Sequence, residues 1–155
     1  MQLYCVSTTA FTPTPTQDAV ANAINQEISK PKEENYFNSL KKELLPKRER
    51  LLEMARKAGF KPVTPQGGYF VVADASGISF DKSNLDMEME TETGKTRSFD
   101  HALARYLLKH KDLAVIPTSP FYHENSDNNE KRYVRFCFAK TDETLEAAER
   151  LFSEW

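Results

Sequence analysis

The strongest restriction on the fold comes from a short apolar segment, Tyr-Val-Arg-Phe-Cys-Phe at residues 133–138. β-Branched and aromatic residues favour extended backbone, so this segment predicts a strand. Successive side chains of a strand point to opposite faces, which places Val134, Phe136 and Phe138 together on one face. Arg135 then lies on the other face. A strand with one face this apolar requires a sheet that other elements cover.

The remaining segments predict two helices followed by strands that alternate with helices. The Thr- and Pro-rich opening at 8–17 is expected to be non-helical because it contains Pro13 and Pro15. A helix is predicted from Thr16 as its N-cap to about residue 28, and a longer helical pattern runs over 35–58. The later elements are, in order, a strand at 69–73, a helix capped by Ser98, strands at 113–116 and 133–138, and a helix capped by Thr141. This order predicts an α/β or α+β fold in which helices cover a sheet.

Proline and glycine mark the ends and interruptions of the longer helical pattern. Pro46 lacks the backbone N–H, so either the helix kinks there or a second helix begins with proline in its first turn. Gly59 is the predicted stop. The pair Gly67–Gly68 predicts a turn before a strand and lacks the lysine and hydroxyl residue of a phosphate loop.

The composition excludes several functional classes. The formal net charge is −2, without the clustered cations that nucleic-acid binding requires. No apolar run approaches the roughly 20 residues needed to span a bilayer, and no secretory signal is recognisable. Cys5 and Cys137 are far apart and are expected to be reduced thiols, with no zinc site. We therefore expect a cytoplasmic protein, with a mitochondrial location as the alternative for the intact protein.

Arg135 is the residue whose position in the pattern points to chemistry. A guanidinium in so apolar a strand needs an anion, because burying an unpaired charge costs several kcal/mol. Its planar fork matches a carboxylate bidentately, so a ligand carboxylate is one partner to consider. The alternatives are an internal Asp or Glu partner, or a sheet edge at which Arg135 reaches water.

Tyr122 lies in a long loop and could face a pocket. The acidic stretch at 81–97 is interpreted as a solvated surface loop of undetermined role.

Several segments resemble, in the same order, those of kynurenine aminotransferases, also called cysteine-S-conjugate β-lyases. These enzymes belong to the class I/II aminotransferases that use pyridoxal phosphate. The resemblance runs essentially end to end and is most specific around Arg135. The matching segments are Thr-Pro-Thr-Gln at 14–17, Tyr-Phe-Asn-Ser-Leu at 36–40, Gly-Phe-Lys-Pro at 59–62, Pro-Gln-Gly-Gly-Tyr-Phe at 65–70, Lys-His-Lys-Asp-Leu-Ala-Val-Ile-Pro at 109–117 with Ser119 and Phe121-Tyr122, and residues 133–145.

The resemblance implies a fold and a division into domains. Residues 35–155 would form the small C-terminal domain of a fold-type I transferase. Residues 1–34 would be the end of the large domain with its connecting helix. The apolar stripe of that helix would normally pack on the large domain and should therefore be exposed when the segment stands alone.

The resemblance also assigns roles to residues. Arg135 would bind the α-carboxylate of an amino-acid substrate. Phe11, Thr12 and Pro13 could line the pocket of a partner subunit, and the turn at 66–69 would be structural support. The family's cofactor lysine lies upstream of the matched region, and no lysine of this chain stands in that context. We therefore expect no catalytic or cofactor-binding residue here and no specific binding of pyridoxal phosphate by this chain alone.

The resulting hypothesis is the substrate-carboxylate-binding part of a kynurenine–oxoglutarate-type aminotransferase, inactive as this chain alone. Its expected partners are an N-terminal large domain, a second subunit of a homodimer, and an amino-acid or 2-oxo-acid substrate. Neither nucleic acid nor a membrane is expected. Two other classes stay open: a non-enzymatic interaction module, and a free-standing small-molecule binding domain that uses Arg135 as an anion anchor.

Overall fold

The structure, a computed structural model, describes residues 13–78, 85, 98–122 and 132–153. The chain divides into two compact units, one that ends at Glu43 and one that begins at Leu44. The domain boundary expected after residue 34 stays a prediction. The acidic stretch at 81–97 lies outside the described residues except for Leu85.

The first described helix, α1, spans Thr14–Ser29. Its N-cap is Pro13, three residues before the predicted cap Thr16, and Pro15 lies in its first turn. The expectation that the prolines exclude a helix here was wrong. The first backbone N–H groups of a helix have no partner within the helix, so a proline there sacrifices no hydrogen bond.

The apolar stripe of α1 is exposed, as expected. None of the helix's described residues is buried. Val20, Ile24 and Ile28 are 52%, 42% and 66% exposed. Contiguous apolar surface of this kind is unusual on a free-standing protein and is typical of an interaction site.

The second helix, α2, spans Tyr36–Lys57 and continues through Pro46. The alternative of a second helix that starts at Pro46 is therefore wrong. At its start, the Tyr36 N–H donates to the Glu27 carboxylate. A side-chain hydrogen bond from Lys30 and this backbone bond lower the pKa of Glu27.

The predicted end of α2 at Gly59 is confirmed. Gly59 follows the helix at φ 89°, and the Phe60 N–H donates to the Ala55 carbonyl oxygen at 3.0 Å.

Alanine substitutions at three glycines should lower stability by different amounts, with the largest loss at Gly59. A Cβ at Gly59 would lie 2.9 Å from the carbonyl oxygen of Gly77, in addition to the strain of positive φ. We expect Gly59→Ala to lower the free energy of unfolding by about 1–3 kcal/mol, which urea denaturation would measure. Gly68→Ala has positive φ but open space, so it should cost less. Gly67→Ala has neither and should be close to neutral; equal losses in all three would contradict the explanation.

Within the described residues, the sheet has four strands in the order β1-β2-β4-β3, all antiparallel. The strands are β1, Lys61–Pro62; β2, Phe70–Asp74; β3, Ile116–Pro117; and β4, Tyr133–Cys137. The strand expected over 113–116 is therefore shorter and includes Pro117. Proline is tolerated there because β3 lies at the edge of the sheet, where no further described strand needs its N–H.

The described part of the second unit also contains the helices α3, Phe99–Lys111, between β2 and β3, and α4, Asp142–Ser153, after β4. The caps Ser98 and Thr141 are confirmed as the residues that precede them. Only Thr141 makes the side-chain cap bond, from the Thr144 N–H to its Oγ1 at 3.3 Å.

The core lies between the helices and one face of the sheet. Val134, Phe136 and Phe138 are at most 4% exposed, which confirms the predicted alternation along β4. The helical side of this core consists of Leu51, Leu52, Met54, Ala55, Leu103, Leu107, Leu145 and Phe152. The prediction of a sheet covered by helices is confirmed, and the antiparallel pairing makes the fold α+β. Within the described residues, no helix combines the length and apolarity needed to cross a bilayer.

Candidate functional site

Arg135 lies in the middle of the described sheet. It is opposite Val72 of β2 on one side and Ile116 of β3 on the other. The alternative that it sits at a sheet edge is therefore wrong. Its half-buried side chain projects from the face opposite the core, since its neighbours Val134 and Phe136 are buried on the core face.

Two phenylalanine rings contact the Arg135 guanidinium. Its Cζ lies 4.2 Å from the ring centroid of Phe70 and 4.9 Å from that of Phe121. Phe70 reaches it from β2, because the residue diagonally across an antiparallel pair stays within range of a long side chain. Phe121 arrives from the short 3-10 turn Ser119–Phe121 after β3. Both distances suit cation–π attraction, which restrains the guanidinium without accepting its N–H groups.

One buried hydrogen-bond donor of Arg135 has no acceptor among the described residues. Its Nε is buried and has no hydrogen-bond partner among the described residues. In the same part of the chain, no carboxylate forms an ion pair with Arg135. The described residues therefore give no support to the internal Asp or Glu alternative. Buried polar atoms in proteins are nearly always satisfied, so this unpaired guanidinium donor indicates a hydrogen-bond acceptor from outside these residues.

The other predicted site residues are separate from this arrangement or lie outside the described residues. Phe11 and Thr12 lie outside the described residues. Pro13 is exposed at the start of α1. Tyr122 is next to Phe121 and is 48% exposed. The turn at 66–69 leads into β2, and the Phe138 N–H donates to the Tyr69 carbonyl oxygen at 3.0 Å, consistent with a supporting role.

Sequence reasoning missed the roles of Phe70 and Phe121. Both lie in segments that resemble the family, but the sequence alone predicts for Phe70 only a place in the strand at 69–73. It is 39% exposed, on the same face as Arg135. The period-two alternation of β2 separates Phe70 from the buried Val71 and Ala73 and would have placed it correctly.

A cavity of about 450 Å³ borders Arg135 at the edge of the sheet. It extends between residues 112–116 and α4, and its walls are mainly aliphatic. Phe70 and Arg135 line it, whereas Phe121 does not. Among the residues that could be searched, no group of three His, Cys, Asp or Glu side chains could hold a metal ion.

The described contacts of Arg135 do not form a pyridoxal-phosphate site. Such a site needs a lysine for the Schiff base and an acidic partner for the pyridine nitrogen. Arg135 instead contacts two phenylalanine rings. This face presents a guanidinium that can donate hydrogen bonds, and among the described residues the contacts of its guanidinium include neither a lysine nor an acid.

Comparison with known proteins gives consistent matches along the chain. Residues 2–151 match the family model described as aminotransferase class I and II. Mouse kynurenine–oxoglutarate transaminase 3 is 39% identical over 143 residues, covering 92% of this chain and 30% of that protein. The Dictyostelium discoideum kynurenine–oxoglutarate transaminase is 36% identical over 144 residues, covering 88% of this chain and 30% of that protein. The chain thus spans about 30% of the length of these curated relatives.

Solved structures support the same fold. Bna3p of Saccharomyces cerevisiae superposes with a TM-score of 0.76 at 22% identity, covering 97% of this chain and 34% of that one. N-Succinyldiaminopimelate aminotransferase of Mycobacterium tuberculosis gives 0.66 at 26% identity, covering 96% and 32%. The expected fold, part of a fold-type I transferase, is confirmed.

Proposed function

Because the chain belongs to the family of class I and II aminotransferases, which depend on pyridoxal phosphate, we propose that it supplies the substrate-carboxylate-binding part of such an enzyme. The observation that carries the proposal is the buried Arg135 Nε without a described acceptor. The relatives named as kynurenine–oxoglutarate transaminases suggest amino-group transfer between an amino acid and a 2-oxo acid.

Arg135 would act by binding and orienting the substrate. The rings of Phe70 and Phe121 restrain the guanidinium, while its N–H donors stay available for two parallel bonds to a carboxylate. A carboxylate fixed in this way limits rotation of the substrate about its Cα. That restraint lowers the entropy that must be lost before the Cα–H bond is aligned for reaction.

The rest of the active site would come from outside this chain. We propose that the upstream large domain supplies the cofactor lysine and that the exposed stripe of α1, Val20, Ile24 and Ile28, packs on that domain. A homodimer would complete the pocket, with the segment that ends at Pro13 near the partner subunit. The exposed stripe also favours the second candidate, a non-enzymatic interaction module. Capture of a partner that does not depend on Arg135, without gain of activity, would distinguish that role.

The proposed division of labour predicts that this chain alone is inactive. With kynurenine, a 2-oxo acid and added pyridoxal phosphate, we expect no transamination above the rate without protein, measured by formation of the amino-acid product. Joined to the part of mouse kynurenine–oxoglutarate transaminase 3 that lies outside the matched region, the chain should support turnover.

The controls separate misfolding from lack of function. The intact mouse enzyme sets the expected rate, and circular dichroism with cofactor absorbance establishes that the fusion is folded and loaded. A folded, loaded fusion that turns over neither kynurenine nor other amino acids would contradict the proposal. Turnover by the chain alone that is lost on Arg135→Ala would show that one of its own lysines serves the cofactor.

A further inference from the structure

Asp100 is a fully buried carboxylate whose role neither the core nor the carboxylate site explains. It lies in the first turn of α3 and is 0% exposed. Its Oδ1 accepts hydrogen bonds from the Ser98 hydroxyl at 2.6 Å and the His101 N–H at 3.0 Å. Its Oδ2 accepts the Ser119 N–H at 2.6 Å. Among the described residues, Asp100 forms no ion pair with a cation.

These hydrogen bonds make the burial of Asp100 tolerable and show what it holds in place. A buried carboxylate is strongly disfavoured unless several donors satisfy it, and the start of a helix adds a favourable dipole. One of the three donors is local to α3 and one belongs to its cap. The third comes from Ser119, 19 residues away in sequence. The Ser98 and Ser119 hydroxyls, 3.1 Å apart, form a second link between the same two segments.

The segment bound to Asp100, residues 118–121, carries the Phe121 ring that contacts Arg135. The Thr118 hydroxyl donates to the Tyr133 carbonyl oxygen at 3.1 Å, which fixes the segment to the start of β4. Ser119 then begins the 3-10 turn, and the Phe121 N–H donates to the Thr118 carbonyl oxygen at 3.0 Å. Phe121 is 66% exposed, so burial does little to fix its ring. Its place over Arg135 depends on the backbone that carries it.

We propose that Asp100 is a positioning residue that holds Phe121 over the Arg135 guanidinium. It acts through the Ser119 N–H and contacts neither the guanidinium nor a ligand. Its importance for substrate binding rests on the proposed function of Arg135, whereas its structural effect on Phe121 does not.

The test uses this chain labelled at arginine and follows the NMR signals of the Arg135 Nε–Hε and Cδ–Hδ groups. Phe121→Ala removes the ring and defines the full displacement of these signals. Asp100→Asn keeps the size of the side chain but replaces one carboxylate oxygen by an NH₂ group. Both oxygens of Asp100 accept hydrogen bonds, so at least one donor loses its acceptor. We expect Asp100→Asn to move the Arg135 signals in the same direction, by at least half of that displacement. When Phe121 is already alanine, adding Asp100→Asn should move the Arg135 signals by less than a quarter of the full displacement, because the ring that Asp100 positions is then absent.

The matched control is Gly59→Ala, which is expected to be destabilising and lies next to β1, at the opposite edge of the sheet from β3. It should leave the Arg135 signals in place. If Asp100→Asn does not fold, Ser98→Ala serves instead, because it removes a donor to Asp100 and the link to Ser119; a smaller displacement in the same direction is expected. Unmoved Arg135 signals in a folded Asp100→Asn or Ser98→Ala chain, or an equal displacement in Gly59→Ala, would overturn the proposal.

A titration with 2-oxoglutarate separates this proposal from the proposed function. If Asp100→Asn displaces the Arg135 signals but they do not respond to 2-oxoglutarate in the unmodified chain or the mouse fusion, the positioning role stands and the carboxylate-binding function fails. If the Arg135 signals respond to 2-oxoglutarate but not to Asp100→Asn, the carboxylate-binding function stands and the positioning role of Asp100 fails.

Discussion

Arg135→Ala in the active fusion with the mouse relative is expected to lower kcat/KM by roughly 10²- to 10⁴-fold. Two hydrogen bonds between a guanidinium and a carboxylate contribute about 1.5–3 kcal/mol each, and each 1.36 kcal/mol corresponds to about tenfold in rate. The loss should appear with both the amino-acid and the 2-oxo-acid substrate, because both carry the carboxylate. Steady-state kinetics with each substrate in turn would measure it.

Two further variants show whether the fork geometry or only the charge matters. Arg135→Lys keeps the charge but replaces the planar fork by a single ammonium, so we expect a loss between those of the alanine variant and the parent. Arg132→Ala is the matched control, since Arg132 is exposed immediately before β4. Comparable losses for Arg132→Ala and Arg135→Ala would refute a specific carboxylate contact.

Phe136→Ala is expected to cost about 3–5 kcal/mol of unfolding free energy, the range typical of removing a buried phenylalanine. Phe136 is 4% exposed, and its ring centroid lies 5.3 Å from that of Phe60 and 5.9 Å from that of Phe152. Removing it leaves a cavity between the sheet and the helices and breaks both ring contacts. A loss of this size is a large fraction of a domain's total stability. Urea denaturation followed by circular dichroism would measure it.

Phe70→Ala provides the matched comparison from the opposite face of the same sheet. Phe70 is 39% exposed and contacts Arg135 rather than the core. We expect it to cost less than about 1.5 kcal/mol, since it leaves no enclosed cavity and loses mainly one cation–π contact. Similar losses for Phe70→Ala and Phe136→Ala would mean that the two faces do not differ as the structure describes.

Local sequence predicted the elements whose causes are local. The alternation of residues 133–138 predicted both the strand and the face on which Arg135 lies. Gly59 predicted the end of α2 because only glycine adopts φ 89° without strain there. The error at the start of α1 has a physical reason: proline disfavours helix interiors, yet in a first turn it sacrifices no hydrogen bond, and Pro15 lies in the first turn of α1. At Pro46 the sequence left two alternatives open, and α2 passes through this proline.

The sequence alone also identified the family, because matching segments recur in the same order along the whole chain. It singled out Arg135 as a candidate anion-binding residue, because a guanidinium in an apolar strand requires a partner. It could not exclude an edge position, because strand order depends on which distant segments pair. Only the tertiary structure places β4 between β2 and β3.

The contacts that make up the candidate site were likewise decided only by the tertiary structure. Phe70 and Phe121 are 51 residues apart in the sequence, and both contact Arg135. The bond between Asp100 and Ser119 joins the start of a helix to a turn beyond the next strand. No local pattern encodes such pairs, because their energies arise only when sheet pairing and helix packing bring distant segments within contact distance.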